Sequence, residues 1–209
     1  MRIETLSPTA DRAGRYRVQF EDGTVIRLYR QTVQDFGLYA GLELDEAEMI
    51  RLRTAAGEMS AKMRAVRIVS ASSVSKRDLE QRLVHKGEDP EQAKAAVAWM
   101  EGLELLDDRK TAEQVVSRCI SKGYGVNRAK QALYEKQIPK ALWEEVLEDY
   151  PDMTKKIVDF LRAKLGESLD DKDLKRAIDS CQRRGHSYQA IRRALSMLQA
   201  DTDEFPEEW

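Results

Sequence analysis

Three stretches of this sequence fall into one register when Ser75, Gly125 and Ser187 are superposed, and this recurrence limits the possible folds more than any other feature. Four positions on stand Leu79, Ala129 and Ile191, and eight positions on stand Leu83, Leu133 and Leu195. Nine positions before stand Val66, Val116 and Ile178, and six before stand Val69, Cys119 and Cys181. Spacings of three and four place these apolar side chains on one stripe per helix. Ser73, Gly123 and Gly185, two positions before the reference, mark a break between helices. The repeated unit is therefore a helix, a short turn and a second helix, occurring three times. Copies begin 50 and then 62 residues apart, so they have diverged. The longer gap holds a further amphipathic stretch, 153–165, that the register assigns to neither neighbour.

Helical periodicity continues almost without interruption from residue 59. It predicts helices at 59–70, 76–86, 90–102, 107–122, 126–136, 140–148, 153–165, 171–184 and 188–199. Residues 1–58 read differently. Tyr16-Arg-Val-Gln-Phe20 and Thr24-Val-Ile-Arg-Leu-Tyr29 alternate apolar and polar side chains around Glu21-Asp22-Gly23, the signature of a β-hairpin, with Ile3 to Leu6 as a possible third strand. A helical turn near Phe36 and a helix over 45–56 complete a small α+β module. The change of period near residue 58 predicts a module able to rotate relative to the helices beyond it. The expected division is a module at 1–58, repeats at 59–106, 107–150 and 151–200, and an acidic tail at 201–209.

Charge narrows the class of partner. Charged residues make up 34% of the 209, yet the formal net charge is −2, which disfavours a protein held to nucleic acid by bulk electrostatics. Residues 1–58 carry a net −2 and 59–150 a net +1, whereas 151–200 carry a net +4 and the tail carries five acids with no base. Such a mixed surface suits a protein partner, or a protein and nucleic acid complex. The two cysteines form no CxxC pair, the chain opens without the apolar core of a signal peptide, and no apolar run spans a bilayer, so a cytoplasmic protein without membrane contact is expected.

The order of residues across 59–198 resembles the RecX family. The resemblance is carried by Ser75-Lys-Arg-Asp-Leu79 with Leu83, Lys86 and Gly87, by Leu105-Leu106-Asp107-Asp108 with Ala112, and by Lys122-Gly123-Tyr124-Gly125 with Ala129 and Leu133. The third copy adds Arg184-Gly185-His186-Ser187-Tyr188, and the β-hairpin module looks like the extra N-terminal region of part of that family. Thr111 replaces the usual aromatic residue and Gln137 the usual glycine of a helix C-cap. The resemblance implies a mainly α fold, an elongated tandem array of three three-helix, helix-turn-helix-like repeats behind the α+β module. It also implies a monomer that binds the RecA filament, inhibits its ATPase and strand exchange, and limits filament extension in recombination, DNA repair and the SOS response.

Basic side chains recurring beside the turns are the candidate partner-binding residues: Lys76, Arg77 and Arg82; Arg118, Lys122, Arg128 and Lys130; Arg183, Arg184, Arg192 and Arg193. Any one of them alone reads as a solvated helix face. Cys119 and Cys181 lie on apolar stripes and read as small core residues, while His85 and His186 read as surface or helix-end residues. Trp99 and Trp143 read as packing between helices, with Trp209 in the tail. Asp107-Asp108 and Asp170-Asp171 stand at helix starts, where the helix dipole accounts for them. No catalytic, cofactor or metal constellation is present. Two rival readings are a helix-turn-helix regulator, with DNA as direct or secondary partner, and a generic helical adaptor.

Overall fold

A computed structural model describes residues 1–10, 13–165 and 171–203. Asp170, Trp209 and most of the acidic tail at 201–209 lie outside the described residues. The chain divides into two compact units that meet in sequence at Leu106 and Asp107.

The first unit opens with strands β1 (Ile3–Pro8), β2 (Arg15–Phe20) and β3 (Val25–Tyr29), which form an antiparallel sheet in that order. Ile3 pairs with Phe20 and Tyr16 with Leu28, so alternation brings Ile3, Val18, Phe20 and Leu28 onto one buried face. A short helix α1 (Arg30–Asp35) and the long helix α2 (Glu46–Ala71) cover that face. α2 starts in a capping box: Asp45 accepts the Glu48 amide at 2.7 Å, and Glu48 accepts the Asp45 amide at 2.9 Å.

The sequence reading breaks α2 in two around residue 57. Instead, one helix of 26 residues runs through Gly57. An interior glycine costs only about 1 kcal/mol relative to alanine. Both halves of α2 bury apolar side chains, Met49 and Leu52 under the sheet, and Ala61 and Ala65 in the next core. A continuous helix thus joins the module to the first repeat, and the expected rotation at residue 58 is not supported. A Cβ at Gly57 would lie 2.3 Å from Oε1 of Gln92, the far end of a flexible side chain that can turn aside. Helices α3 (Lys76–His85) and α4 (Pro90–Gly102) complete this core through Leu79, Leu83, Ala93, Ala96 and Met100.

In the second unit, α5 (Asp108–Ser121), α6 (Val126–Glu135) and α7 (Trp143–Leu147) enclose Ala112, Val116, Leu133 and Ile138. The stretch expected as one helix at 140–148 is a single 3-10 turn leading into α7. Helices α8 (Thr154–Leu165), α9 (Asp171–Arg183) and α10 (Tyr188–Asp203) form the last core. Ile157, Val158, Leu161 and Leu165 of α8 pack there with Ala177, Cys181, Ile191 and Ala194, so the helix the register leaves unassigned joins the third core. The repeat register itself is buried as the spacing requires, with Leu79, Ala129 and Ile191 at 0–1% exposure. Both departures from the family pattern are absorbed. Thr111 is buried, and Gln137 takes the left-handed conformation, φ +55°, normally left to glycine.

Candidate functional site

The basic side chains divide by what already holds them. Lys76 is ion-paired with Glu101, Arg82 Nε meets Asp78 at 2.7 Å, and Arg128 meets Glu135 at 3.0 Å. Each of these partners lies within the same three-helix set, so these cations brace their own helices. Arg77 on α3, Arg118 and Lys122 at the end of α5, Lys130 on α6 and Arg183 at the end of α9 are exposed.

Arg184 is held from both sides of the joint between the second and third repeats. Its guanidinium lies 5.1 Å from the Tyr124 ring and 4.7 Å from the Phe160 ring, and Nη2 donates to the Lys122 carbonyl at 2.8 Å. Nζ of Lys156 donates to the Ile120 carbonyl at 2.7 Å. Two cations from the third repeat thus satisfy the open carbonyls and the negative dipole end of α5. The Tyr150 hydroxyl donates to the Tyr124 carbonyl at 2.7 Å, and burial pushes that phenol up to about 12.

The same joint explains why the reference position is Ser, Gly and Ser. The side chains of Ser75 and Ser187 accept the amides of Asp78 and Ala190, giving α3 and α10 their N-caps. Gly125 offers α6 no such cap. The Gly125 and Asn127 amides instead donate to the carbonyls of Arg184, at 2.9 Å, and Gly185, at 3.2 Å. The third repeat's turn caps the second repeat's helix with its backbone. No side chain fits in between: a Cβ on Gly125 would lie 2.1 Å from the Gly185 oxygen, and one on Gly185 2.2 Å from the Arg128 nitrogen.

His186, expected as a surface or helix-end residue, lies just beyond the end of α9 within this joint and is buried. Burial, then the Arg184 charge, holds its imidazole below the usual range, while a hydrogen bond with the Gly123 backbone opposes them. Cys119 and Cys181 are buried, and burial raises both thiols, as fits small core residues. Trp143 packs on the second core and donates from Nε1 to the Ile138 carbonyl at 3.1 Å. Trp99 departs from expectation: it is 36% exposed, with Nζ of Lys62 5.8 Å from its ring centroid.

Arg192 and Arg193 project from α10 beside a cleft of about 680 Å³ whose other wall includes Lys155 of α8. Lys155 escaped the sequence reading because α8 has no counterpart in the repeat register. Among the described residues no group of three His, Cys, Asp or Glu side chains is placed to hold a metal ion, and no helix is long and apolar enough to cross a membrane.

A family model described as RecX, second three-helix domain, matches residues 107–147, the stretch that builds α5, α6 and α7. The chain is 26% identical over 146 residues to the regulatory protein RecX of Vibrio parahaemolyticus, across 68% of this chain and 94% of that protein. It is 24% identical over 190 residues to that of Clostridioides difficile, across 88% of this chain and 89% of the relative. The chain is similar to proteins of the RecX family in sequence and in fold. A crystal structure of a regulatory protein RecX superposes with a TM-score of 0.65 at 18% identity, covering 95% of this chain and 98% of the other. RecX from Lactobacillus salivarius superposes with a TM-score of 0.62, covering 70% of this chain and 99% of the other. RecX proteins are regulators, not enzymes, and the role of this chain is regulatory. The cations recurring at the turns are of interest as surface, and those of the second unit divide into Arg184, which locks two repeats together, Arg128, which braces α6, and others left outward.

Proposed function

We propose that this chain binds the RecA nucleoprotein filament and inhibits its ATPase, strand exchange and extension. The observation that carries the reading is the outward set Arg118, Lys122, Lys130, Arg183, Arg192 and Arg193 on a frame that Arg184, Gly125 and Gly185 fix backbone to backbone. Cations on a preorganised frame lose little freedom on binding, and repeated helical units offer a surface suited to a polymeric partner. A net charge of −2 fits selection of a protein surface over naked DNA. Arg77 belongs to the same proposal from the first unit. Lys76, Arg82, Arg128 and Arg184 serve structure first. Co-sedimentation separates the readings: the protein should be retained at moderate salt by RecA filaments on single-stranded DNA and poorly by naked duplex. Retention by duplex alone would favour the helix-turn-helix reading, and retention by neither would leave a helical adaptor.

A further inference from the structure

We propose that the cleft between the start of α8 and the outer face of α10 docks an acidic protein segment that carries an apolar side chain. The identification of that segment's owner as the regulated partner rests on the function proposed above. The recognition chemistry does not.

Lys155, Arg192 and Arg193 line a cleft of about 680 Å³, room for several peptide residues. Among the described residues of the lining Asp152 is the one carboxylate, leaving two positive charges in excess there. Its pairing with Arg193 is loose, 4.0 Å between side chains that are 59% and 62% exposed. Among the described residues neither Lys155 nor Arg192 has an ion-pair partner. This sets them apart from Lys76, Arg82 and Arg128, each of which is neutralised by a neighbour on its own repeat. Met197 lies at the end of the same lining and is 50% exposed. A polarizable, unbranched side chain left open beside unpaired cations suits an acidic segment with one apolar anchor.

A nucleic acid strand would use the same cations, but the rest of the lining favours protein. The Asp152 carboxylate repels phosphate yet can accept a hydrogen bond from a peptide amide. Met197 offers nothing to a phosphodiester backbone. Among the described residues no aromatic side chain lines the cleft to stack a base.

Fluorescence anisotropy with the full chain tests this, using the labelled peptide EDELFDE, its serine counterpart EDESSDE and a short labelled oligothymidylate. EDELFDE should bind best, and less well as salt rises. Replacing Arg192→Ala and Arg193→Ala together should weaken it about tenfold with an unchanged circular dichroism spectrum, since both side chains are exposed. Met197→Ser should weaken EDELFDE about threefold and leave EDESSDE unaffected. Tighter binding of oligothymidylate, lost in the same double variant, would overturn the proposal in favour of nucleic acid. Peptide binding that is absent or indifferent to all three substitutions would overturn it outright. Inhibition of RecA without peptide binding would sink this inference alone, whereas peptide binding without inhibition of RecA would sink only the proposed function.

Discussion

Gly125 shows how one residue can oppose a local rule and be right. Its two counterparts are capping serines, and Gly125→Ser would restore a side-chain cap that is worth about 1 kcal/mol elsewhere. Yet the new Cβ would fall 2.1 Å from the Gly185 carbonyl oxygen, where the conflict is with backbone and cannot relax by a rotamer change. Steric repulsion wins, and the substitution should lower the unfolding free energy by about 2 kcal/mol or more. A raised melting temperature would show that the joint is looser than described. His186, in the same joint, makes a pH prediction. Its folded-state pKa lies below the ordinary 6.5, so its stabilisation is complete above that pH and is lost as pH falls through the depressed folded value. Urea titrations should show the parent losing more stability than His186→Gln as pH falls from about 7.5 to about 5. Equal losses would contradict a buried neutral imidazole.

At the level of elements, α2 matters most because it contributes to two cores. Gly57→Pro would remove a hydrogen bond and insert a ring into the middle of that helix, at a cost of about 3 kcal/mol or more. Thermal unfolding and helicity should both fall. A chain jointed at this point would tolerate proline without loss. The repeat register was legible from sequence because Leu79, Ala129 and Ile191 are buried by the stripe they create. The hairpin was legible because alternation and Gly23, at φ +83°, are local signals. The unbroken α2 was not, since glycine reads as a stop when the burial on both sides of it is unknown. α8 was likewise unassigned: its packing on Cys181 and Ile191 is a long-range fact without a counterpart in the other copies. For the site, the basic residues were visible as a set, but not their separation into braced and outward ones. Arg184 has its partners Tyr124, Phe160 and Lys122 at 60, 24 and 62 positions' distance, beyond any local pattern.

For the whole molecule, near-neutral charge and abundant charged residues describe a surface made for selectivity more than for bulk attraction. The RecX-family fold supplies repeated helices, and the second unit adds a joint without slack between its repeats, so that outward cations keep fixed positions. On the function proposed above, the chain would occupy surface on the RecA polymer, and one bound copy would affect more than one protomer by spanning subunits or blocking a growing end. The central claim is therefore tested most directly by ATP hydrolysis of RecA on single-stranded DNA as this protein is titrated in. Hydrolysis should fall at fewer than one copy per RecA subunit; unchanged hydrolysis at equimolar protein would contradict the account.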